Sequence, residues 1–139
     1  SDITVGDSLL RALPTRDAVL PALTLLAAGE KISHQVANLS LPCTASDRIQ
    51  DFSPQRSQHL LSMLQQDPHA VFNQWCVEDF IPAGVNLTDG VRITLVNGNI
   101  IHLRPSGNAP ELRCYAESST LKQAESLVSI CLSKIKLYF

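Results

Sequence analysis

Residues 91–117 read VRITLVNGNIIHLRPSGNAPELRCYAE and hold three short strand-like segments separated by turn residues. β-Branched and apolar residues dominate the first two segments, and the Asn97-Gly98 pair between them is typical of a two-residue hairpin turn. The third segment alternates apolar and polar side chains, as a half-buried strand does. We therefore predict three consecutive antiparallel strands, with the polar loop 104–110 between the second and the third.

That loop carries the groups that a phosphate needs. Arg104 offers a planar fork of guanidinium donors, and Ser106 adds a hydroxyl. Gly107 has no Cβ, so an anion can approach its backbone N–H, and Asn108 adds a side-chain amide. Two prolines restrict the loop, so little entropy remains to be lost on binding. We expect these four residues to bind phosphate; the alternative for so short a motif is a polar hairpin loop with one surface arginine.

Residues 2–5 are a weak strand candidate, and residues 16–40 favour helices. Over residues 16–28, apolar side chains recur at helical spacing, with Thr15 available as N-cap and Gly29 as the stop. A shorter helix follows, for which Ser33 is the expected cap. The residues of this second helix that we expect to face inward are Val36, Ala37 and Leu39.

After residue 41 the pattern changes to alternating strands and helices. Residues 43–50 are expected to form a first strand, and Ser53-Pro54 then supplies an N-cap and a first-turn proline for a helix. A short helix over 68–75 is followed by a loop through residues 82–84.

A last helix begins near Thr120, where Thr120-x-x-Gln123 fits a capping box. Its apolar stripe predicts the buried set Leu121, Ala124, Leu127, Val128, Cys131, Leu132 and Ile135. The order β-α-(α)-β-β-β-α predicts an α+β fold, in which a four-stranded antiparallel sheet has its helices packed on one face.

Composition is that of an ordinary soluble globular chain. The 139 residues are 45% hydrophobic and 17% charged, with a net charge of −2. That balance argues against a nucleic-acid partner. The longest apolar stretch, residues 18–28, is interrupted by Pro21 and is too short to cross a bilayer, and no basic-then-apolar leader opens the chain. We expect a cytoplasmic protein with no membrane partner.

Residues that could bind metal are dispersed. The cysteines form no C-x-x-C pair, which is poor spacing for zinc; they are Cys43, Cys76, Cys114 and Cys131. No histidine has a partner at ligand spacing; the histidines are His34, His59, His69 and His102. We expect reduced thiols, with Cys114 and Cys131 packed in the core.

The loop sequence RPSGNAPELRCYAE resembles the phosphate-binding loop of the α-D-phosphohexomutases, which is RPSGTEPKLRVYxE in many members. Residues 15–21, 41–50 and 88–93 also fall, in order, where this family has similar segments. The resemblance therefore spans essentially the whole chain. Within the family it is most similar to the bacterial phosphomannomutases, whose C-terminal domain often carries the N-A-P variant of the loop.

The resemblance implies a TBP-like C-terminal domain and assigns roles in it. Arg104, Ser106 and Gly107 occupy the positions that grip the substrate's phosphate in this family. Asn108 occupies the fourth such position, where most members have threonine, so a side-chain amide stands where the family has a hydroxyl. Arg113 is expected either to support the loop from behind or to be a surface strand residue.

The resemblance further implies that the chain is part of a longer enzyme. Residues 1–40 would be the end of its preceding, third domain, and residues 41–139 its phosphate-binding domain. The parent would be an isomerase of carbohydrate and nucleotide-sugar metabolism that interconverts mannose 6-phosphate and mannose 1-phosphate through a phosphoserine and magnesium. Its partners here would be the hexose phosphate and the remaining domains. The alternatives are a phosphoglucomutase of the same family and a non-enzymatic phosphate-binding or interaction module.

The catalytic groups of the family are not expected in this chain. The magnesium motif D-G-D-G-D-R does not occur in the sequence. Residues 44–47 partly resemble the family's phosphoserine loop T-A-S-H-N-P, but Asp47 stands where that loop has histidine. We expect no catalytic residue, no magnesium bound by this chain and no activity of the isolated chain. The loop that selects the sugar in this family is also expected to lie outside it.

Overall fold

The computed structural model describes residues 2–5, 7–12 and 19–139, and the chain forms two compact units that divide between Leu41 and Pro42. The first unit holds an antiparallel pair of short strands followed by two short helices. These elements are β1 (Ile3–Val5), β2 (Ser8–Leu10), α1 (Val19–Ala27) and α2 (Ile32–Ala37).

The helices of the first unit differ from the prediction in their caps and their burial. No residue of either helix is buried, and Val36, Ala37 and Leu39 are exposed rather than inward-facing. Lys31, not Ser33, is the N-cap residue of α2, because the helix already begins at Ile32. The expected cap at Thr15 and the helix start at Arg16 lie outside the described residues.

The second unit contains the sheet and its helices. Its five strands are all antiparallel to their neighbours, in the order β3-β7-β6-β5-β4. Its elements are β3 (Cys43–Ile49), α3 (Pro54–Gln66), α4 (Pro68–Gln74), β4 (Pro82–Asn86), β5 (Val91–Leu95), β6 (Ile100–Pro105), β7 (Leu112–Ser118) and α5 (Leu121–Tyr138). No helix among the described residues is long and apolar enough to span a membrane.

The predicted number of strands was wrong: the sheet has five strands, not four. The additional strand is β4, which contains Pro82, Gly84 and Asn86, all poor strand formers. It lies at the edge of the sheet and pairs with β5, with an irregular register between Pro82 and Gly84. A proline at the first position of an edge strand need not donate to the ladder, so pairing with β5 outweighs the weak local preference.

One face of the sheet forms the core together with the helices. Alternate side chains of β5, β6 and β7 are buried in a single apolar cluster that includes residues of α3, α4 and α5. Its largest fully buried side chains are Trp75, Phe52 and Phe72. Ser53 and Thr120 cap α3 and α5 as predicted, and α5 buries the predicted residues except Leu121, which is exposed.

Candidate functional site

Three backbone hydrogen bonds fix the loop between β6 and β7. The Ser106 N–H donates to the Glu111 carbonyl at 2.9 Å, which closes the loop, and the Glu111 N–H donates to the Ala109 carbonyl at 2.8 Å. The Phe52 N–H donates to the Pro110 carbonyl at 2.8 Å. Because Phe52 is itself buried, this last bond ties the loop to the well-packed connection between β3 and α3.

The strand register aligns three arginines on the face of the sheet opposite the helices. Arg48 of β3 lies across from Arg113 of β7, and Arg113 lies across from Arg104 of β6. Directly opposed like charges repel one another in a sheet unless carboxylates lie between them. Two acidic residues pair with these arginines: Glu111 with Arg113 and Arg48, and Asp89 with Arg104.

Glu111 is the first of these, and its side chain is only 8% exposed. Its Oε1 accepts hydrogen bonds from Arg113 Nε at 2.9 Å and Nη2 at 2.8 Å, and its Oε2 lies 3.4 Å from Arg48 Nη1. The hydrogen bonds from Arg113 hold the pKa of this carboxyl below its usual value, although burial acts in the opposite direction. The same contact raises the pKa of Arg113.

The hydroxyl of Ser106 is oriented by two donors. Arg113 Nη2 approaches Ser106 Oγ at 3.5 Å, and the Asn108 N–H donates to the same oxygen at 3.4 Å. Both contacts use the lone pairs of Oγ, and the hydroxyl hydrogen is directed at the Glu111 carboxyl, where this bond helps to lower its pKa. The Ser106 N–H is already bonded within the loop, so this residue can offer an anion its hydroxyl but not its backbone.

Gly107 stands at the open tip of the loop. A Cβ built on it would have no atom within 4 Å, so the space beside its backbone is free. In the part of the chain that the structure describes, no group accepts a hydrogen bond from its N–H. Gly107 and Asn108 are both exposed, as a site that takes a ligand from solution requires.

Asp89 is the second acidic residue, and it pairs with Arg104. Its Oδ1 lies 3.1 Å from Arg104 Nε, and the side chains are 57% and 47% exposed, respectively. The carbonyl of Asp89 is hydrogen-bonded to Nε2 of His102, which lies two residues before Arg104 in β6. From the sequence, Asp89 was expected only to form part of a turn.

Glu111 was likewise not predicted as a site residue. Side chains two residues apart in a strand share a face, so the spacing of Glu111 and Arg113 indicated a possible ion pair. Nothing in the sequence indicated that Arg48, more than sixty residues upstream, shares the carboxylate. The structure thus places the four predicted phosphate ligands and Arg113 at one end of the sheet.

The arrangement suits an oxyanion. Three guanidinium groups share two carboxylates, which leaves one surplus positive charge near the Ser106 hydroxyl and the Gly107 N–H. Charge-assisted bonds from arginine, combined with neutral donors, are typical of phosphate sites. Among the described residues, no three His, Cys, Asp or Glu side chains lie together as metal ligands would. The described residues therefore do not fit the magnesium that the family resemblance implies.

Comparison with known proteins decides the family. The model of the phosphoglucomutase/phosphomannomutase C-terminal domain matches residues 47–130, which include the whole loop and all three arginines. The chain belongs to this family. The resemblance to the phosphohexomutases is thereby confirmed.

Two curated relatives are similar over nearly the whole chain. A phosphomannomutase of Salmonella muenchen is 45% identical over 98% of this chain. A phosphomannomutase of Sinorhizobium fredii (strain NBRC 101917 / NGR234) is 39% identical over 93% of it. The chain spans 29% and 28% of the lengths of these two relatives, respectively.

Proposed function

We propose that this phosphohexomutase-family chain is the part of a cytoplasmic phosphomannomutase that binds the phosphate of the substrate. The parent enzyme would interconvert mannose 6-phosphate and mannose 1-phosphate. The observation that carries the proposal is the juxtaposition of Arg104, the Ser106 hydroxyl and the free Gly107 N–H at one end of the sheet, within the region matched to the family. Both curated relatives named above are phosphomannomutases, which favours mannose over glucose phosphates.

The proposed role of the loop is to supply binding energy away from the reacting centre. Contacts with the phosphate that does not react can position the sugar for transfer at its other end. The two ends of the substrate must be presented in turn, so one loop has to accept a phosphate from either position. Guanidinium, hydroxyl and backbone N–H groups recognise phosphate oxygens without reading the sugar, which meets that requirement.

The chemistry itself is assigned to other parts of the parent enzyme. The phosphoserine and the magnesium site implied by the family resemblance would come from those parts, and residues 1–40 would be the end of the preceding domain. We therefore expect the isolated chain to be inactive on mannose 6-phosphate, with or without magnesium. Turnover by the purified chain would contradict this division of labour.

The binding site can be tested by NMR titration of the chain with mannose 6-phosphate and with inorganic phosphate at constant ionic strength. We expect the amide signals of Ser106, Gly107 and Asn108 to shift at millimolar concentrations, because one loop alone offers weak affinity. Mannose without phosphate is the matched control and should leave them unchanged. Shifts confined to other residues would overturn the proposal, as would equal shifts in Arg104→Ala.

A further inference from the structure

We propose that Asp89 is a positioning residue for Arg104, an inference that rests on the phosphate site proposed above. Its carboxylate lies against the Nε edge of the guanidinium, with Oδ1 3.1 Å from Nε. Held at that edge, the planar group presents its two terminal nitrogens to an incoming phosphate as a fork. Asp89 itself does not contact the phosphate in this proposal.

The backbone around Asp89 is fixed by three independent features. Gly90 has a φ of 73°, and a Cβ built on it would lie 2.3 Å from the Leu103 carbonyl oxygen, so only glycine fits against β6 here. His102 holds the carbonyl of Asp89 through its Nε2. Just before Asp89, the Thr88 N–H donates to Asn86 Oδ1 at 2.9 Å. The segment is therefore anchored to the strand that carries Arg104.

Among the described neighbours of Arg104, Asp89 is the contact that can orient its guanidinium. Across the strand pair lies Arg113, whose like charge repels it. Asp89 is the one ion-pair partner of Arg104 within the described ranges, and no residue of those ranges accepts a hydrogen bond from its terminal nitrogens. Both side chains are about half exposed, so the pair contributes little to fold stability. Variants of Asp89 therefore report on orientation rather than on folding.

For Asp89→Asn, simple electrostatics and a positioning role predict opposite changes in the Kd for phosphate. Asp89→Asn removes a negative charge beside an anion site, and simple Coulomb attraction would then make phosphate bind more tightly. If Asp89 positions the guanidinium, the same change weakens binding because the fork is no longer held. The sign of the change in Kd therefore decides between the two.

The experiment is an NMR titration of the chain with inorganic phosphate at constant ionic strength, following the loop amides and the Nε–H signal of Arg104. For Asp89→Asn we expect Kd to rise about two- to fivefold, the range for an exposed charge pair. Asp79→Asn, which removes an exposed carboxylate with no ion pair among the described residues, is the matched control and should not raise Kd. An unchanged or lower Kd for Asp89→Asn would overturn the inference.

Two further variants exclude a merely structural effect. Asp89→Glu keeps the charge and should recover part of the affinity. In an Arg104→Lys background there is no Nε edge to hold, so Asp89→Asn should no longer weaken binding; full weakening in that background would overturn the inference. Arg104→Ala separates the two proposals. If it leaves phosphate binding intact, the phosphate site is wrong; if it abolishes binding while Asp89→Asn does not weaken it, only the positioning role is wrong.

Discussion

A single carboxylate oxygen of Glu111 receives two donors of Arg113, with Oε1 2.9 Å from Nε and 2.8 Å from Nη2. The guanidinium edge used for this contact is thereby fixed, and its Nη2 also reaches the Ser106 hydroxyl. Glu111 closes the loop through its backbone as well, so one residue orders both the loop and the arginine behind it.

Glu111→Gln should destabilise the domain in a pH-dependent way. The pKa of Glu111 is lowered in the folded state, so its ion pairs stabilise fully above its ordinary value of 4.5, and this stabilisation disappears as pH falls through the lowered pKa. The variant should have a lower urea midpoint than wild type at about pH 7, and the gap should shrink at about pH 3. Glu78→Gln, at an exposed carboxylate, is the control. A gap of constant size across this range would contradict the ion-pair origin.

In the proposed full-length phosphomannomutase, Arg104→Ala should lower kcat/KM by a factor equivalent to about 2–4 kcal/mol of activation free energy, the range expected when a charge-assisted hydrogen bond is removed from a closed site. Arg104→Lys should recover only part of this, because a point charge cannot reproduce the bidentate fork. Steady-state kinetics with mannose 1-phosphate provide the measurement. Arg56→Ala removes an arginine that instead stacks on Phe52, and it serves as a control for the change in net charge. Unchanged kcat/KM in Arg104→Ala would remove Arg104 from the site.

Gly107→Ala should separate binding from folding. The space beside Gly107 is open and its φ is outside the left-handed region, so alanine fits without strain. The free energy of unfolding should stay the same or rise by about 0.4–1 kcal/mol. The added methyl group would hinder approach to the Gly107 N–H, and we expect Kd for phosphate to rise about tenfold, as when one hydrogen bond is removed. Wild-type affinity in this variant would show that the backbone N–H is not used.

Gly90→Ala should be far more costly than Gly98→Ala. Both glycines have positive φ, at 73° and 84°, but only Gly90 has a backbone atom, the Leu103 oxygen, within clashing distance of a Cβ. We expect the free energy of unfolding, measured with urea, to fall by about 1–2 kcal/mol for Gly98→Ala and by roughly 3 kcal/mol or more for Gly90→Ala. Equal destabilisation would mean that the close approach to β6 is relieved at no cost.

The sequence predicted most elements of the second unit because local signals there agree with tertiary packing. The caps at Ser53 and Thr120, and the alternation in residues 112–118, each point to the element that forms. The prediction failed where the structure of a segment depends on contacts with residues distant in the sequence. Strand β4 forms because it pairs with β5, and the residues expected to face inward from the second helix are exposed.

The site was predictable in its loop but not in its acidic partners. The sequence RPSG places the donors of the proposed phosphate site in neighbouring residues, so a linear pattern is sufficient to propose them. By contrast, Asp89 reaches Arg104 only through the pairing of β5 with β6, and Glu111 reaches Arg48 only through the pairing of β3 with β7. Such contacts depend on register, which a single sequence does not specify.

Strand β7 assigns its even-numbered and odd-numbered positions to different tasks. Leu112, Cys114 and Ala116 are buried in the core, whereas Arg113 and Tyr115 face the opposite side. Substitutions at the odd positions therefore leave the apolar core unchanged, although at Arg113 they would also leave the Glu111 carboxylate without its main partner. An insertion or deletion of one residue would exchange the two sets and abolish both tasks together. Related enzymes should therefore differ in this strand by substitution and keep its length.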